Sequence, residues 1–481
     1  MTTDNKILLV KPLIRHSFHA QNIFPPTSLG YLGEILGREG VGYEVMDMSL
    51  GYSLHDLYHK IEQYKPSHLG ISMFTYQHQS VYQLANQIKS RFPRIQLVAG
   101  GPHISTFREE ALDKCPSIDY GVVLEGEYTL SDLMKGKDPR DLKGLIYRDD
   151  DRIIATGNPD LIDDLDSIGF PKYEKFSLEK YTAVIKLMTI VTTRGCPYQC
   201  IYCPVGPSIG RKLRYREPKS VVEEIRYWYD RDYRVIEIMD DNFTFYPDRV
   251  HRICDLIEAE NFRDLTLNIP NGVRADKVDL ALLQRLKEVG FKIISFGVEA
   301  GNNKVLKNLK KNETIETIEQ SIRWAVEVGL DVRLFFLIGS PGETYRDFED
   351  SLKIAQKYSV SDAYFYNIVP YPKTELFDWI NRNNYFIKQP DYYLNDSSSL
   401  KNDPLFETPD MTISERKKAF RVAKRLQKSI YRKKIERKLT KFGFLAPELA
   451  WLYSSEAVQL FLRRDPGFRK LIHILKTKYS I

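Results

Sequence analysis

Short apolar runs alternate with helical periodicity over the first third of the chain. KILLV (Lys6–Val10), YEVMDM (Tyr43–Met48), HLGISMF (His68–Phe74), IQLVAGG (Ile95–Gly101) and YGVVLEG (Tyr120–Gly126) are of strand length and end in small or polar residues. Between them Leu29, Leu32 and Leu36, and later Val81, Leu84 and Ile88, recur at the spacing of one helix face. Apolar strands separated by amphipathic helices predict a doubly wound, mainly parallel α/β sheet over residues 1–136. Such sheets bind ligands at the carboxyl ends of their strands, which here carry SMFTYQ, AGGPH and LEGE. The first strand leads into VKPLIRHS, which has no glycine, so a dinucleotide fingerprint is missing.

Residues 137–183 read as a hairpin, LKGLIYRDDDRIIATG with Asp149–Asp151 at its turn, and then a proline-punctuated linker. The alternation restarts over residues 184–378 with LMTIVTT, VIEIMDDNF, LTLNIPNG, FKIISFGVEAG, VRLFFLIGSPGE and AYFYNIVPYP. Six strand–helix units with polar strand ends predict a partial βα barrel whose site lies on that face. Residues 379–481 are helical in pattern and basic. In SERKKAFRVAKRLQKSIYRKKIERKLTKFGF, Ala419, Ala423, Leu426 and Ile430 form one apolar stripe, and helix is expected to continue to Ile481.

The chain has 481 residues, 43% hydrophobic and 28% charged, an ordinary globular balance. No apolar run approaches the ~20 residues of a membrane span, and the start lacks a signal-peptide pattern. Five cysteines, three of them clustered, are no disulfide framework, so a reducing cytoplasm is the expectation. Those three, Cys196, Cys200 and Cys203, lie in RGCPYQCIYCP on the loop after the first barrel strand. A disulfide would strand one of them, and zinc would need a fourth ligand. Three thiolates on a tight loop suit a cubane iron–sulfur cluster, and the spacing favours it while leaving zinc and accident open. Cys115 and Cys254 fall on helical patterns as apolar fillers.

The segments RGCPYQCIYCP, MDDNF, FGVEAG and FLIGSPGET resemble the radical S-adenosylmethionine (SAM) superfamily over roughly Leu187 to Leu376. PPTSLGYLGEIL, GISMFTYQ, AGGPH and LEGE are similar to the cobalamin-binding domain fused to such barrels. Together they resemble the B12-binding radical SAM enzymes. The resemblance implies an α/β chain: a doubly wound Rossmann-like cobalamin-binding domain, a partial (βα)6 TIM-type radical SAM barrel and a helical C-terminal region.

It also implies roles. Cys196, Cys200 and Cys203 would hold a [4Fe–4S] cluster, whose open iron SAM chelates before its reductive cleavage to a 5′-deoxyadenosyl radical. Tyr202 would lie against the adenine, and Glu299 would accept from the ribose hydroxyls. Asp240, with its neighbour Asp241, would serve SAM or substrate. Gly339, Pro341 and Gly342 would let backbone approach the methionine or adenine portion. In the first domain Gly100 and Gly101 would pass beneath the corrin, with Ser72, Thr75 and Glu125 offering polar contacts. The Asp-x-His-x-x-Gly pattern of histidine-on cobalamin is absent. His78 and His103 do not fit it, so a lower cobalt face without histidine is expected.

The implied function is methylation of an unactivated carbon in a small-molecule or lipid-like substrate through that radical and methylcobalamin. A rearrangement, oxidation or cyclisation without methylation is the runner-up. A tRNA methylthiotransferase would need three more cysteines, and only Cys115 precedes Cys196. A cobalamin- or cluster-sensing protein that contacts nucleic acid is disfavoured, since no helix-turn-helix or zinc-finger pattern appears. An electron donor such as flavodoxin or ferredoxin is the expected partner. The basic helix either docks on the barrel or gives peripheral contact with an anionic inner-membrane face; nucleic acid is the weakest reading.

Overall fold

The computed structural model describes residues 5–13, 24–181, 186–395, 403–455 and 458. Its first sheet takes β1 (Lys6–Lys11), β2 (Gly42–Asp47), β3 (His68–Ser72), β4 (Gln96–Gly100) and β5 (Tyr120–Val122) in the parallel order β2-β1-β3-β4-β5. Helices cover both faces, which is why β1, β3 and β4 are apolar almost throughout. The order turns between β1 and β3, the switch point at which such sheets leave a crevice. β6 (Leu145–Asp149) and β7 (Arg152–Ala155) form the expected hairpin. It adds antiparallel to β5, so it extends the first sheet rather than standing between two units.

The second sheet contains β8 (Leu187–Ile190), β11 (Val235–Ile238), β12 (Thr266–Val273), β13 (Phe291–Glu299), β14 (Asp331–Ile338) and β15 (Asp362–Asn367). They are parallel and in chain order, and β8 does not pair with β15, which makes a six-stranded barrel open along one seam. The intervening β9 (Thr193–Arg194) and β10 (Arg214–Tyr215) pair antiparallel outside this sheet. Helices pack on its outer side through apolar stripes: Pro218–Tyr229, for instance, buries Val221, Val222, Ile225 and Trp228.

The helix Ile413–Lys438 starts at a capping box between Thr412 and Glu415. Its predicted stripe docks on the barrel: Ala419, Phe420 and Ala423 pack with Ile338 and Phe348, and Ile430 joins the main core. Lys434 and Lys438 pair with Asp362 (2.8 Å) and Asp331 (3.2 Å). Arg416, which belongs to the basic run in sequence, is not on the surface. It is fully buried over the Phe406 ring, donating to Met411 O (3.2 Å) and Thr408 Oγ1 (3.1 Å). Residues 459–481, where helix was also expected, lie outside the described residues.

Two adjacent glycines at the end of β4 separate packing from ligand roles. Gly101 has φ +103°, and a Cβ there would lie 2.8 Å from Met73 O. Its glycine requirement therefore comes from the β3 loop. A Cβ on Gly100 meets nothing nearer than Val122 O at 3.7 Å. Gly101→Ala should cost about 1–3 kcal/mol in thermal unfolding, whereas Gly100→Ala should leave stability unchanged.

Candidate functional site

β9 and β10 frame the cysteine loop, a two-residue ladder too short to show in the sequence pattern. Gly195 enters the loop with φ +89°, and any side chain there would run into the Lys212 carbonyl. Cys196 N donates to Gly210 O (3.3 Å), and Arg211 Nη1 donates to Tyr198 O (2.6 Å). The Arg274 guanidinium lies 3.7 Å from the Tyr198 ring centre. Ile201 N donates to Leu309 O (3.2 Å), and Ile201 O accepts from Leu376 N (3.0 Å), so the loop is fastened to two other barrel loops. Cys196, Cys200 and Cys203 are free, half-buried thiols on this braced turn. Asn242 Nδ2 donates to Cys196 Sγ at 3.0 Å. Among the described residues, no three or more His, Cys, Asp or Glu close on a single metal-ion position.

Around the loop the barrel supplies a buried charge network. Glu299 ends β13 with φ +64°, turned by a register shift after Gly297. Its Oε1 pairs with Lys311 Nζ (3.0 Å), which also reaches Glu313 (3.5 Å). Arg274 Nη1 donates to Lys311 O (2.7 Å). Burial would push the Lys311 ammonium down, but Glu299 and Glu313 hold it well above its ordinary value. Tyr202 lies beside Glu299, and burial with that carboxylate raises its phenol far above the usual range.

Four predicted SAM positions have protein contacts of their own. Asp240 is buried, accepting from Thr192 N (2.6 Å) and Thr192 Oγ1 (2.5 Å), so both its oxygens brace the turn after β8. A Cβ on Gly339 would run into the Arg416 guanidinium, and one on Gly342 would lie 2.6 Å from Asn308 Nδ2. Pro341 O accepts from the same Asn308 amide (2.9 Å). Arg416 and Asn308 are by themselves enough to require glycine at these two positions. Asp241 keeps a carboxyl pushed up to about 6, by burial first and then by Asp240.

Strand alternation turns Leu334 and Phe336 to the core and Arg333, Phe335 and Leu337 to the barrel interior. There Phe335 meets Tyr364 (5.7 Å between ring centres) and Tyr366 (6.1 Å), forming an aromatic wall beside the open seam. Below it, Glu237 pairs in register with Asn268, and Ser295 with Arg333. Asn268 Oδ1 and Ser295 Oγ are buried without a partner among the described residues, which leaves the floor of the lumen polar.

The first sheet faces this loop through Glu125. Its Oε1 pairs with Arg194 (3.0 Å), its Oε2 with Arg214 (2.5 Å), and Oε2 also accepts from Ile162 N (2.8 Å). Glu127 takes the other arm of Arg194 at 2.7 Å. Burial alone would raise the Glu125 carboxyl, but Arg214 and Arg194 hold it below its ordinary value. Glu125 is thus a clamp between the domains, with both its oxygens engaged by protein. Ser72, Thr75 and Gly100 remain at the strand ends, near a crevice at the switch point lined by Lys11, Leu13, Ser72, Phe74 and Tyr76. His78 and His103 stack at 4.8 Å. His78 Nδ1 is bonded to Thr75 O (2.9 Å) and His103 Nε2 to Tyr82 OH (2.6 Å).

Two family models match the chain: the B12 binding domain over residues 18–134 and the radical SAM superfamily over 190–355. The chain belongs to the B12-binding radical SAM family. It is 28% identical to an uncharacterized methyltransferase of Pyrococcus horikoshii, over 79% of this chain and 84% of that protein. It is 26% identical to the cytidylyl-2-hydroxyethylphosphonate methyltransferase of Streptomyces wedmorensis, over 77% and 80%. In fold it is similar to TsrM from Kitasatospora setae, a radical SAM methyltransferase solved with tryptophan substrate and a SAM analogue. That match has a TM-score of 0.70 at 20% identity and covers 80% of this chain and 77% of that one.

The cofactors of the family are a [4Fe–4S] cluster, SAM and cobalamin. The cysteine loop fits the first. Burial raises the Cys200 thiol and pushes Cys203 up to about 12, so thiolates there need a cation beside them, and iron is one. The exposed Phe74 at the switch-point crevice offers an apolar surface that suits a corrin face. Sequence reasoning missed Arg194, Arg214, Asn242 and Lys311. Arg194 and Asn242 stood inside motifs already quoted, one beside Gly195 and one beside Asp241. Lys311 and Arg214 carry no local signal, because only the tertiary fold brings them to Glu299 and Glu125.

Removing the clamp carboxylate leaves buried guanidinium groups unpaired. Glu125→Ala should cost about 3–5 kcal/mol and split a single unfolding transition into two in calorimetry. Burial first, and then His78, hold His103 down at about 3. The unfolded chain takes that proton below about 6.5, so the stability is present at neutral pH and is lost as pH falls from there towards 3. In urea unfolding at several pH values, His103→Phe should flatten this acid loss.

Proposed function

We propose that the chain is a cobalamin-dependent radical SAM enzyme that methylates an unactivated carbon of a small molecule. The observation that carries this reading is the braced three-cysteine loop, clamped through Arg194 to the strand-end face of the B12-binding domain. When bound, the three cofactors together supply a hydrogen-abstracting 5′-deoxyadenosyl radical and a transferable methyl group.

In this reading Cys196, Cys200 and Cys203 give thiolates, and Asn242 draws charge from Cys196 by hydrogen bonding to its sulfur. Glu299, held by Lys311, accepts from the ribose hydroxyls of SAM, with Tyr202 packed beside it. Ser72, Thr75 and Gly100 border cobalamin. The Phe335, Tyr364 and Tyr366 wall shields the radical position from water, and the polar lumen floor orients a substrate with an apolar body and a polar end. A flavodoxin- or ferredoxin-like protein supplies the electron. Peripheral contact with an inner-membrane face is compatible with this reading and not required by it. Among the described residues no helix is long and apolar enough to cross a membrane.

Anaerobic reconstitution should give about four irons per chain and SAM cleavage to 5′-deoxyadenosine. Cys200→Ala should lose both, while Cys254→Ala keeps them; full iron and normal cleavage in Cys200→Ala would overturn the cluster assignment. Label from methyl-labelled SAM should then appear in a metabolite or lipid that an untargeted comparison finds missing from a deletion strain. Deoxyadenosine without methyl transfer would assign a rearrangement or cyclisation instead. No consumption of SAM would assign a sensor.

A further inference from the structure

The C-terminal region has two surfaces that the barrel does not use. While its stripe docks inward, the helix Ile413–Lys438 presents Lys417, Arg421, Lys424, Arg425, Arg432 and Lys433 outward. All six are exposed and without an ion-pair or hydrogen-bond partner among the described residues. The acids of this helix do not offset them. Glu415 is engaged in the capping box, and Glu436 is half-buried near the far end. Past Leu439 the chain folds back, and the helix Ala446–Ser454 packs Ala446 and Ala450 on Ile435 and Leu439. The turn before it and its outer side leave Phe444 86%, Trp451 62%, Leu445 48% and Leu452 50% exposed. Single exposed apolar residues are normal; four large ones within one short hairpin are a patch.

Ile435 and Leu439, which seat the second helix, continue at helical spacing the row of Lys417, Arg421, Lys424 and Arg432, so the patch and the cations share one side. We propose that this end of the molecule docks on an anionic lipid bilayer, with Phe444, Leu445, Trp451 and Leu452 at the headgroup boundary and the free cations over anionic headgroups. Charge complementarity favours lipid over a protein partner, because the cations border an apolar aromatic tip rather than alternating with acids. Aromatic rings with a polar edge settle at that depth of a bilayer. The sequence beyond, LFLRRDPGFRKLIHILKTKYSI, repeats the same mixture of large apolar and basic residues.

The fold also fixes the orientation. Arg416 sits against Gly339, at the carboxyl end of β14, whereas Lys438 and Lys434 pair with Asp331 and Asp362, where β14 and β15 begin. The helix therefore runs from the mouth of the barrel to its base, and the apolar tip lies at the base. The exposed cations therefore flank the barrel along its length, from Lys417 beside the mouth to Lys433 near the base, and the apolar tip anchors the base end. The proposal stands on this surface alone and is independent of the radical chemistry.

Flotation of the full chain with phosphatidylglycerol–phosphatidylcholine vesicles tests it. Binding is expected at about 0.05 M salt, loss at about 0.5 M, and none to phosphatidylcholine alone. Trp451 fluorescence should shift to the blue and be quenched by brominated lipid, a signal absent from Trp451→Phe. Replacing Lys417, Lys424, Arg425 and Lys433 by Gln should weaken binding more than about tenfold, with SAM cleavage and circular dichroism unchanged. Phe444→Ser should abolish the quenching. Failure to bind anionic vesicles at low salt overturns the proposal. Binding only after the chain is ended at Ser455 also overturns it, since residues 456–481 would then be what covers the patch. Duplex DNA binding with no lipid response would assign the cations to nucleic acid instead.

Discussion

The structure turns on one buried carboxylate held between two guanidinium groups. Glu125 leaves the first sheet on a strained step, Leu124 at φ +56°, and reaches Arg194 and Arg214, which flank the cysteine loop on β9 and β10. Buried ions are costly unless paired, and here Glu127 and the Tyr31 ring take the rest of Arg194, while Arg214 shares its Nη1 between Glu125 and Ile162 O and leaves Nη2 without a partner among the described residues. Such a pairing tolerates little displacement. It therefore fixes the distance between the strand ends of one sheet and the first loop of the other, which any transfer between two bound cofactors would require.

The far side of the loop is held in a matching way. Arg274, Lys311 and Glu313 form a second buried network that grips Tyr198 by stacking and Glu299 by charge. Two networks of opposite origin, one from the first domain and one from the barrel, leave the loop little freedom. What stays open is the polar lumen and the seam between β8 and β15. Rigid cofactor ground with an accessible side entrance is consistent with a large reactive centre and a variable substrate.

Much of this was legible in the chain. The apolar runs located every strand of both parallel sheets, because strands covered by helices on both faces are apolar throughout in the first sheet, barrel strands keep one apolar face, and the helices between them must be amphipathic. The cysteine spacing marked the loop, since its chemistry is local in sequence. The hairpin pairing with β5 was not legible: a hairpin shows its turn but not the edge it joins. Residues chosen because they stand at strand ends also have protein neighbours to satisfy. Glu125, Asp240, Gly101 and Gly339 sit where expected and make protein contacts there, because a strand end must satisfy its own neighbours. Position is written in periodicity; direction is not.

Arg416 shows what such long-range closure means in time. The end of β14 is complete only when a guanidinium from a helix nearly eighty residues later fills the space over Gly339. Glu125 likewise waits, from the fifth strand onward, for arginines that the ribosome has yet to make. Synthesis from the N-terminus therefore passes through stages in which the cysteine loop is already present but its surroundings are unfinished. A nascent chain in that condition exposes thiols on a loop without its walls, and metal loading after the C-terminal helix has docked would meet a formed site instead of a loose one.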